Sequence, residues 1–189
     1  MTGKTHQIIG QTVGLTTYFA LAGSDYNPAT FAFAVVVSSV AALLPDIDQS
    51  SSSLWQSIPL GRAAGAVVDP FIKHRNLSHS VLGTAIVGAV AYWLTSLMPS
   101  YWGVNGHVIL WVTLSSYISH LLADMVTVEG IPLLFPYQRM FGLPPRPFQG
   151  VRIVTGKWFE NWVIFPIVNI ALVLIIIIHW DKIRAVLFK

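Results

Sequence analysis

Apolar residues gather into four clear runs: Phe31 to Leu44, extended back to Pro28; Val81 to Met98; Val108 to Asp124; and Trp162 to Trp180. Each approaches the roughly 20 mainly apolar residues with which a helix crosses a bilayer. Thr5 to Gly23 is a fifth candidate, more polar, with glycines and threonines spaced as in helices packed against other helices. Two longer connections, 45–79 and 129–159, hold most of the punctuation, including SSSS, the Asp69-Pro70 pair and LPPRP. The pattern predicts an all-α polytopic membrane bundle of four or five transmembrane helices with an interfacial loop region, one domain over residues 1–189.

Composition agrees. Charged residues make up 10% of the chain and apolar ones 54%, against roughly 25% charged in a soluble domain. The absence of cysteine excludes disulfides and thiolate chemistry, so any metal site must draw on His, Asp and Glu. The early apolar stretch behind Lys4 contains His6, Gln7 and Gln11 and lacks a clean small-residue cleavage site, so it is expected to stay in the mature chain. The net charge of +3 is spread through loops, which favours membrane lipid over nucleic acid as the anionic partner.

Lys4, Arg62, Lys73, Arg75, Arg139, Arg146, Arg152 and Lys157 fall in the N-terminus and the two long loops, whereas loops 24–27 and 99–107 carry no basic residue. The positive-inside rule then places the basic regions in the cytoplasm. An odd number of spans would put the tail with Lys182, Arg184 and Lys189 outside, against that rule.

The ionisable residues follow the same alternation. His6 opens the first helix, Asp46 and Asp48 follow the second, His74 and His79 precede the third, and His120 and Asp124 close the fourth, so all seven are expected at one membrane face. His120 and Asp124, four apart, stack on one helix face and can reach one ion. Pro45 should stop the second helix and leave PDID extended or turning; if extended, Asp46 and Asp48 point the same way. Asn76 or Ser78 is expected to cap the third helix, with His79 in its first turn and His74 and Arg75 in the loop before it. A single buried His is ordinarily a packing hydrogen-bonder and a lone Asp after a helix a solvated turn residue; it is the convergence of seven that points to a metal or catalytic site. His107 and His179, with no acidic neighbour at ligand spacing, read as interfacial packing residues, and Trp158, Trp162 and Trp180 as an aromatic belt.

The N-terminal His, LPDID, HRNLSHS and YISHLLADMVTVEGIPLLFPY, in that order and spacing, resemble the bacterial LexA-binding, inner-membrane-associated metal-dependent hydrolases over roughly residues 1–160. The order also looks like the zinc-dependent phospholipase C and P1 nuclease group, whose helical cores hold metal ions that hydrolyse phosphoesters. The resemblance implies His6, Asp46, His79, His120 and Asp124 as metal ligands, with Asp48 and His74 as further ligands or orienting groups. The extra His pair and His-x-x-x-Glu helix of that soluble group have no match after Asp124; Glu160, in TGKWFEN, resembles a Glu of the membrane family that would supply a carboxylate.

One or two divalent ions are therefore expected, zinc first, with manganese or magnesium as alternatives. Asp48 or Glu160 is the expected general base. Arg75, Arg139, Arg146 and Arg152 are candidate phosphate clamps, with plain positive-inside topology as the competing explanation. The apolar, proline-broken loop EGIPLLFPYQRMFGLPPRPF is suited to lie at the interface. Together these imply hydrolysis of an amphiphilic phosphoester or pyrophosphate at the cytoplasmic face of the inner membrane. Two rival readings are a metal-ion transporter, whose ligands would sit near the bilayer midplane, and a non-catalytic anchor recruiting a soluble regulator, which needs no metal.

Overall fold

The computed structural model describes residues 1–23, 27–48 and 77–187, without the side chains of Asp48 and Leu187. Its α-helices are α1 Gly3–Leu21, α2 Pro28–Ala41, α3 Val81–Ser96, α4 Gly106–Met125, α5 Phe165–Ile178 and α6 Trp180–Leu187. A π-helical turn, Glu160–Ile164, leads straight into α5. Among the described residues there is no strand, only two isolated bridges. The five apolar runs thus become α1 to α5. The addition is α6, a short amphipathic helix that buries Ile183 and Val186 and exposes Asp181 and Arg184.

Caps set the boundaries. The Asn27 side chain accepts from Ala29 N at 2.7 Å and Thr30 N at 3.3 Å to open α2, and Asn105 accepts from Val108 N at 3.2 Å to open α4. The α3 cap differs from expectation: it is Ser80, whose extended backbone lets Oγ accept from Gly83 N at 3.1 Å. His79 therefore precedes the helix instead of lying in its first turn. Asn76, the other expected cap, lies outside the described residues. Of the two alternatives for the segment after α2, the turn is found: Leu44–Asp48 is a 3-10 turn. At about three residues per turn, positions 46 and 48 no longer share a face.

The central helix is α4, which packs on α1, α2 and α3, while α1 packs on α2 and α5. The approach of α1 to its neighbours depends on two glycines. A Cβ at Gly10 would lie 2.1 Å from Ala42 Cβ, and one at Gly14 would lie 2.5 Å from both Ser116 Oγ and Ser38 Cβ. Ser116 Oγ also donates to Gly10 O at 3.0 Å across the helix pair. Small residues with crossing hydrogen bonds are the packing mode of helices in lipid, where close van der Waals contact replaces the hydrophobic drive.

Among the described residues two helical segments are long and apolar enough to cross a bilayer, Gly106–Met125 and Glu160–Ile178. The first is mostly buried in the bundle; beyond Glu160 the second has no buried residue, and Ile167, Ile170, Val173 and Ile177 line its outer face. An apolar surface of that extent is stable against hydrocarbon, not water. With 14 and 16 residues, α2 and α3 are shorter apolar helices, about 21 and 24 Å long at 1.5 Å per residue.

Residues 126–157 fold back on the end of α4. Leu143 N donates to Met125 O at 2.7 Å, Ile153 N to Val126 O at 3.0 Å, and Ile131 and Phe141 exchange bonds of 2.8 and 2.7 Å. Gly130 allows that exchange: its φ is +67°, and a Cβ there would stand 2.4 Å from Phe141 O. Val81 N donates to Leu133 O at 2.9 Å, so the same loop also anchors the start of α3.

Candidate metal centre

His6 lies in the first turns of α1, Asp46 in the 3-10 turn after α2, His79 just before α3, and His120 and Asp124 in the last turns of α4. Helices that alternate in direction bring these five to one end. Two overlapping groups, His6 with His120 and Asp124, and Asp46 with His79 and His120, each offer ligand atoms within 4.8 Å of one another.

Around the shared centre, His79 Nε2 lies 3.3 Å from His120 Nε2 and 3.6 Å from both Asp46 Oδ1 and Asp124 Oδ2. His120 Nε2 lies 3.7 Å from the same two oxygens. His6 Nε2 stands 3.0 Å from Asp124 Oδ1, with its ring stacked on that of His120 at 3.6 Å. Four of the five are fully or almost fully buried, and the Asp46 side chain retains 18% exposure. The cluster therefore reaches solvent on the Asp46 side.

The donor set fits a divalent cation. His120 Nδ1 is 2.6 Å from Ala42 O, which can only accept, so the proton sits on Nδ1 and Nε2 presents its lone pair to the cluster. Neither ring nitrogen of buried His6 has a hydrogen-bond partner, despite the proximity of Asp124. Unpaired buried polar atoms are costly, and the ring nitrogens here meet carboxylate oxygens from buried Asp124 and partly exposed Asp46, the nitrogen and oxygen donors that a divalent ion takes.

Several groups hold the ligands in place. Gly10 brings α1 against Ala42, whose carbonyl orients His120. Tyr117 Oη donates to Ser78 O, fixing the residue before His79. Thr127 Oγ1 donates to Asp124 O at 2.8 Å, and the Met1 nitrogen contacts Asp124 Oδ1. None of these was singled out from sequence, because a backbone carbonyl carries no signature; only the small-residue spacing of α1 hinted at the close approach.

Glu160 is fully buried but outside both ligand groups. Its Oε1 accepts from Thr2 N at 2.7 Å and Thr2 Oγ1 at 2.8 Å, and its Oε2 accepts from Gly156 N at 2.7 Å. It ties the start of α1, and hence His6, to the helix that begins at position 160. The His74 and Arg75 candidates lie outside the described residues, as does the side chain of Asp48. Arg139, Arg146 and Arg152 do converge, on a cavity of ≈ 800 Å³ in the 126–157 loop.

The two histidines set aside from sequence lie elsewhere. His107 Nε2 accepts from Trp111 Nε1 at 3.0 Å, and His179 stacks on Phe19 at 4.0 Å. Trp158, Trp162 and Trp180 are all exposed at the helix ends.

A family model described as YdjM inner membrane protein matches residues 1–184. The chain is 36% identical over 110 residues to the inner membrane protein YdjM of Escherichia coli (strain K12), which covers 56% of this chain and 50% of that protein; the Shigella flexneri YdjM gives the same values. It is 31% identical over 164 residues to the uncharacterized protein YvsG of Bacillus subtilis (strain 168), covering 87% of this chain and 88% of that one. The match thus spans half the length of the two YdjM proteins. No solved structure gives a significant match.

Proposed function

The chain belongs to the YdjM inner membrane protein family, and we propose that it is a membrane-bound, metal-dependent hydrolase of a lipid phosphoester or pyrophosphate, working at the cytoplasmic face. The observation that carries this reading is the buried convergence of three imidazoles and two carboxylates from four separate segments at one end of the bundle. Ionisable side chains placed there by packing alone would be an unrelieved cost.

In this reading His6, Asp46, His79, His120 and Asp124 hold one or two divalent ions, zinc first, with His74 as a further ligand. The ion supplies Lewis acidity toward a phosphoryl oxygen and lowers the pKa of a water. Asp48 takes the proton of the attacking water. Glu160 is less suited to that base role, because both its oxygens already accept hydrogen bonds; it positions His6 instead. The remaining exposure at Asp46 is the route for water and phosphate. The helices α1 to α5 cross as one bundle, and the basic loops keep the cluster on the cytoplasmic side.

The test is metal analysis of the purified full chain, followed by turnover of a panel of lipid phosphoesters and pyrophosphates. Stoichiometric metal with chelator-sensitive phosphate release is expected. Metal flux across proteoliposomes without turnover would replace the enzyme with a transporter, and a metal-free chain would leave a membrane anchor.

A further inference from the structure

Among the described residues, the ≈ 800 Å³ cavity in the 126–157 loop is lined by three guanidinium groups, Arg139, Arg146 and Arg152, and by one carboxylate, Glu129, a balance of +2 by 3 − 1. The arginines are not equivalent. Arg152 donates from Nε to Pro144 O at 2.9 Å and from Nη2 to Gly142 O at 2.8 Å, so it braces the wall. The wall is built around it: a Cβ on Gly142 would lie 2.4 Å from Arg152 Nη1. Arg146 uses only Nε, toward Gln149 Oε1 at 3.1 Å, and Arg139 has no hydrogen bond or ion pair among the described residues. Two forks are thus left to grip a ligand.

Apolar side chains border the same cavity. Val128, Met140 and Phe141 line it, and Val128 and Met140 are about half exposed, at 52% and 50%. A short stretch of chain joins the cavity to the cluster: Glu129 is five residues beyond Asp124, which bounds their Cα separation at about 18 Å.

We propose that this cavity binds the terminal phosphate or diphosphate of a lipid, with Arg139 and Arg146 donating to its oxygens while the acyl or prenyl portion leaves over Val128 and Met140. As the head-group subsite of the hydrolysis proposed above, it rests on that reading. A phosphomonoester carries between one and a half and two negative charges at neutral pH, by the rule of thumb of about −1.5 to −2. That matches the lining charge better than a singly charged phosphodiester. Guanidinium forks suit the three free oxygens of a terminal phosphate.

The full chain in neutral detergent micelles, with a chelator present, would be titrated with three probes: inorganic pyrophosphate, a short-chain lipid phosphomonoester and a short-chain phosphodiester lipid. The lipid phosphomonoester should bind most tightly. An Arg139→Ala/Arg146→Ala variant should lose about 100-fold in that affinity, roughly tenfold per charge-assisted contact. Arg139→Lys/Arg146→Lys should recover part of it, and Lys182→Ala, in α6 at the opposite end, should change nothing. Unchanged binding in the double Ala variant would overturn the site, as would binding that disappears with the chelator and so resides on the metal. Pyrophosphate binding as tightly as the lipid would overturn the lipid assignment. Binding that persists while the metal-loaded chain hydrolyses none of the probes would sink the hydrolase reading alone; undiminished lipid hydrolysis by the double Ala variant would sink this one alone.

Discussion

At one end of the bundle α1, α2 and α4 bring together Leu15, Tyr18, Phe19, Ala34, Val108 and Val112, with Ile183 of α6 closing the cluster. At the other end the segments that continue the same three helices bring together His6, Asp46, His120 and Asp124. Both ends contain histidine. The difference lies in who satisfies the polar atoms. His107 is bonded by Trp111, four residues along its own helix, and His179 by Ile175 O at 3.0 Å, again four residues away. At the cluster His120 reaches 78 residues back to Ala42 and 41 back to His79, and His6 meets Asp124 of another helix at 3.0 Å. A histidine satisfied within its own turn is packing. Histidines that meet across segments around two carboxylates offer converging ligand atoms, the arrangement on which the metal reading proposed above rests.

The sharpest break between the two ends is in metal content. His120→Ala and Asp124→Ala should each abolish stoichiometric binding by elemental analysis, while His107→Ala and His179→Ala leave it intact. Equal loss from all four would mean that bundle stability, and not a ligand set, is being measured.

Next in size is a separation within the cluster end. Asp46→Asn should weaken metal binding, because an amide can still accept a hydrogen bond but offers no charge to the ion. Asp48→Asn should keep the metal and lower phosphate release by about 10²- to 10⁴-fold, the usual contribution of a general base. Retention of full activity by both would remove the hydrolytic role from the turn Leu44–Asp48.

Much of this was legible in the chain itself. The apolar runs mark α1 to α5 because lipid-facing and core-facing helices alike must be apolar over their length, and the alternation of direction then levels His6, Asp46, His79, His120 and Asp124. Other features were not legible for physical reasons. Ser78 and Ser80 are equally good caps by residue type, and only the path of the preceding loop, fixed by Tyr117 and Leu133, selects Ser80. Pro45 forbids continuation of α2 but does not choose between extended chain and a 3-10 turn. Glu160 reads as a spare carboxylate until Thr2 and Gly156 are seen to donate to it.

A smaller effect tests the connection between packing and the cluster. Gly10→Ala places a methyl where Ala42 now lies, pushing away the carbonyl that orients His120. Loss of such an orienting partner typically costs about 10- to 100-fold in metal affinity. A competition titration against a chelator should show this shift with the ligands themselves unaltered. An unchanged affinity would mean that His120 is oriented by the ion alone.

The smallest effect on the site should come from the largest change in the apolar end. Leu15 is buried between helices in the far cluster, so Leu15→Ala opens a cavity and should destabilise the bundle by about 2 kcal/mol or more. Yet its cluster contains none of the groups that orient His6 or His120. Added metal should therefore raise the melting temperature of Leu15→Ala by about the same increment as that of the parent chain, since a ligand stabilises by an amount set only by its concentration relative to its dissociation constant, about 2.7 kcal/mol at a hundredfold excess. Asp124→Ala should show the opposite pattern, with no metal-dependent increment. A smaller increment in Leu15→Ala, measured by thermal unfolding in detergent with and without zinc, would show that the two ends are coupled through α1 and that the apolar cluster helps to preorganise the ligands.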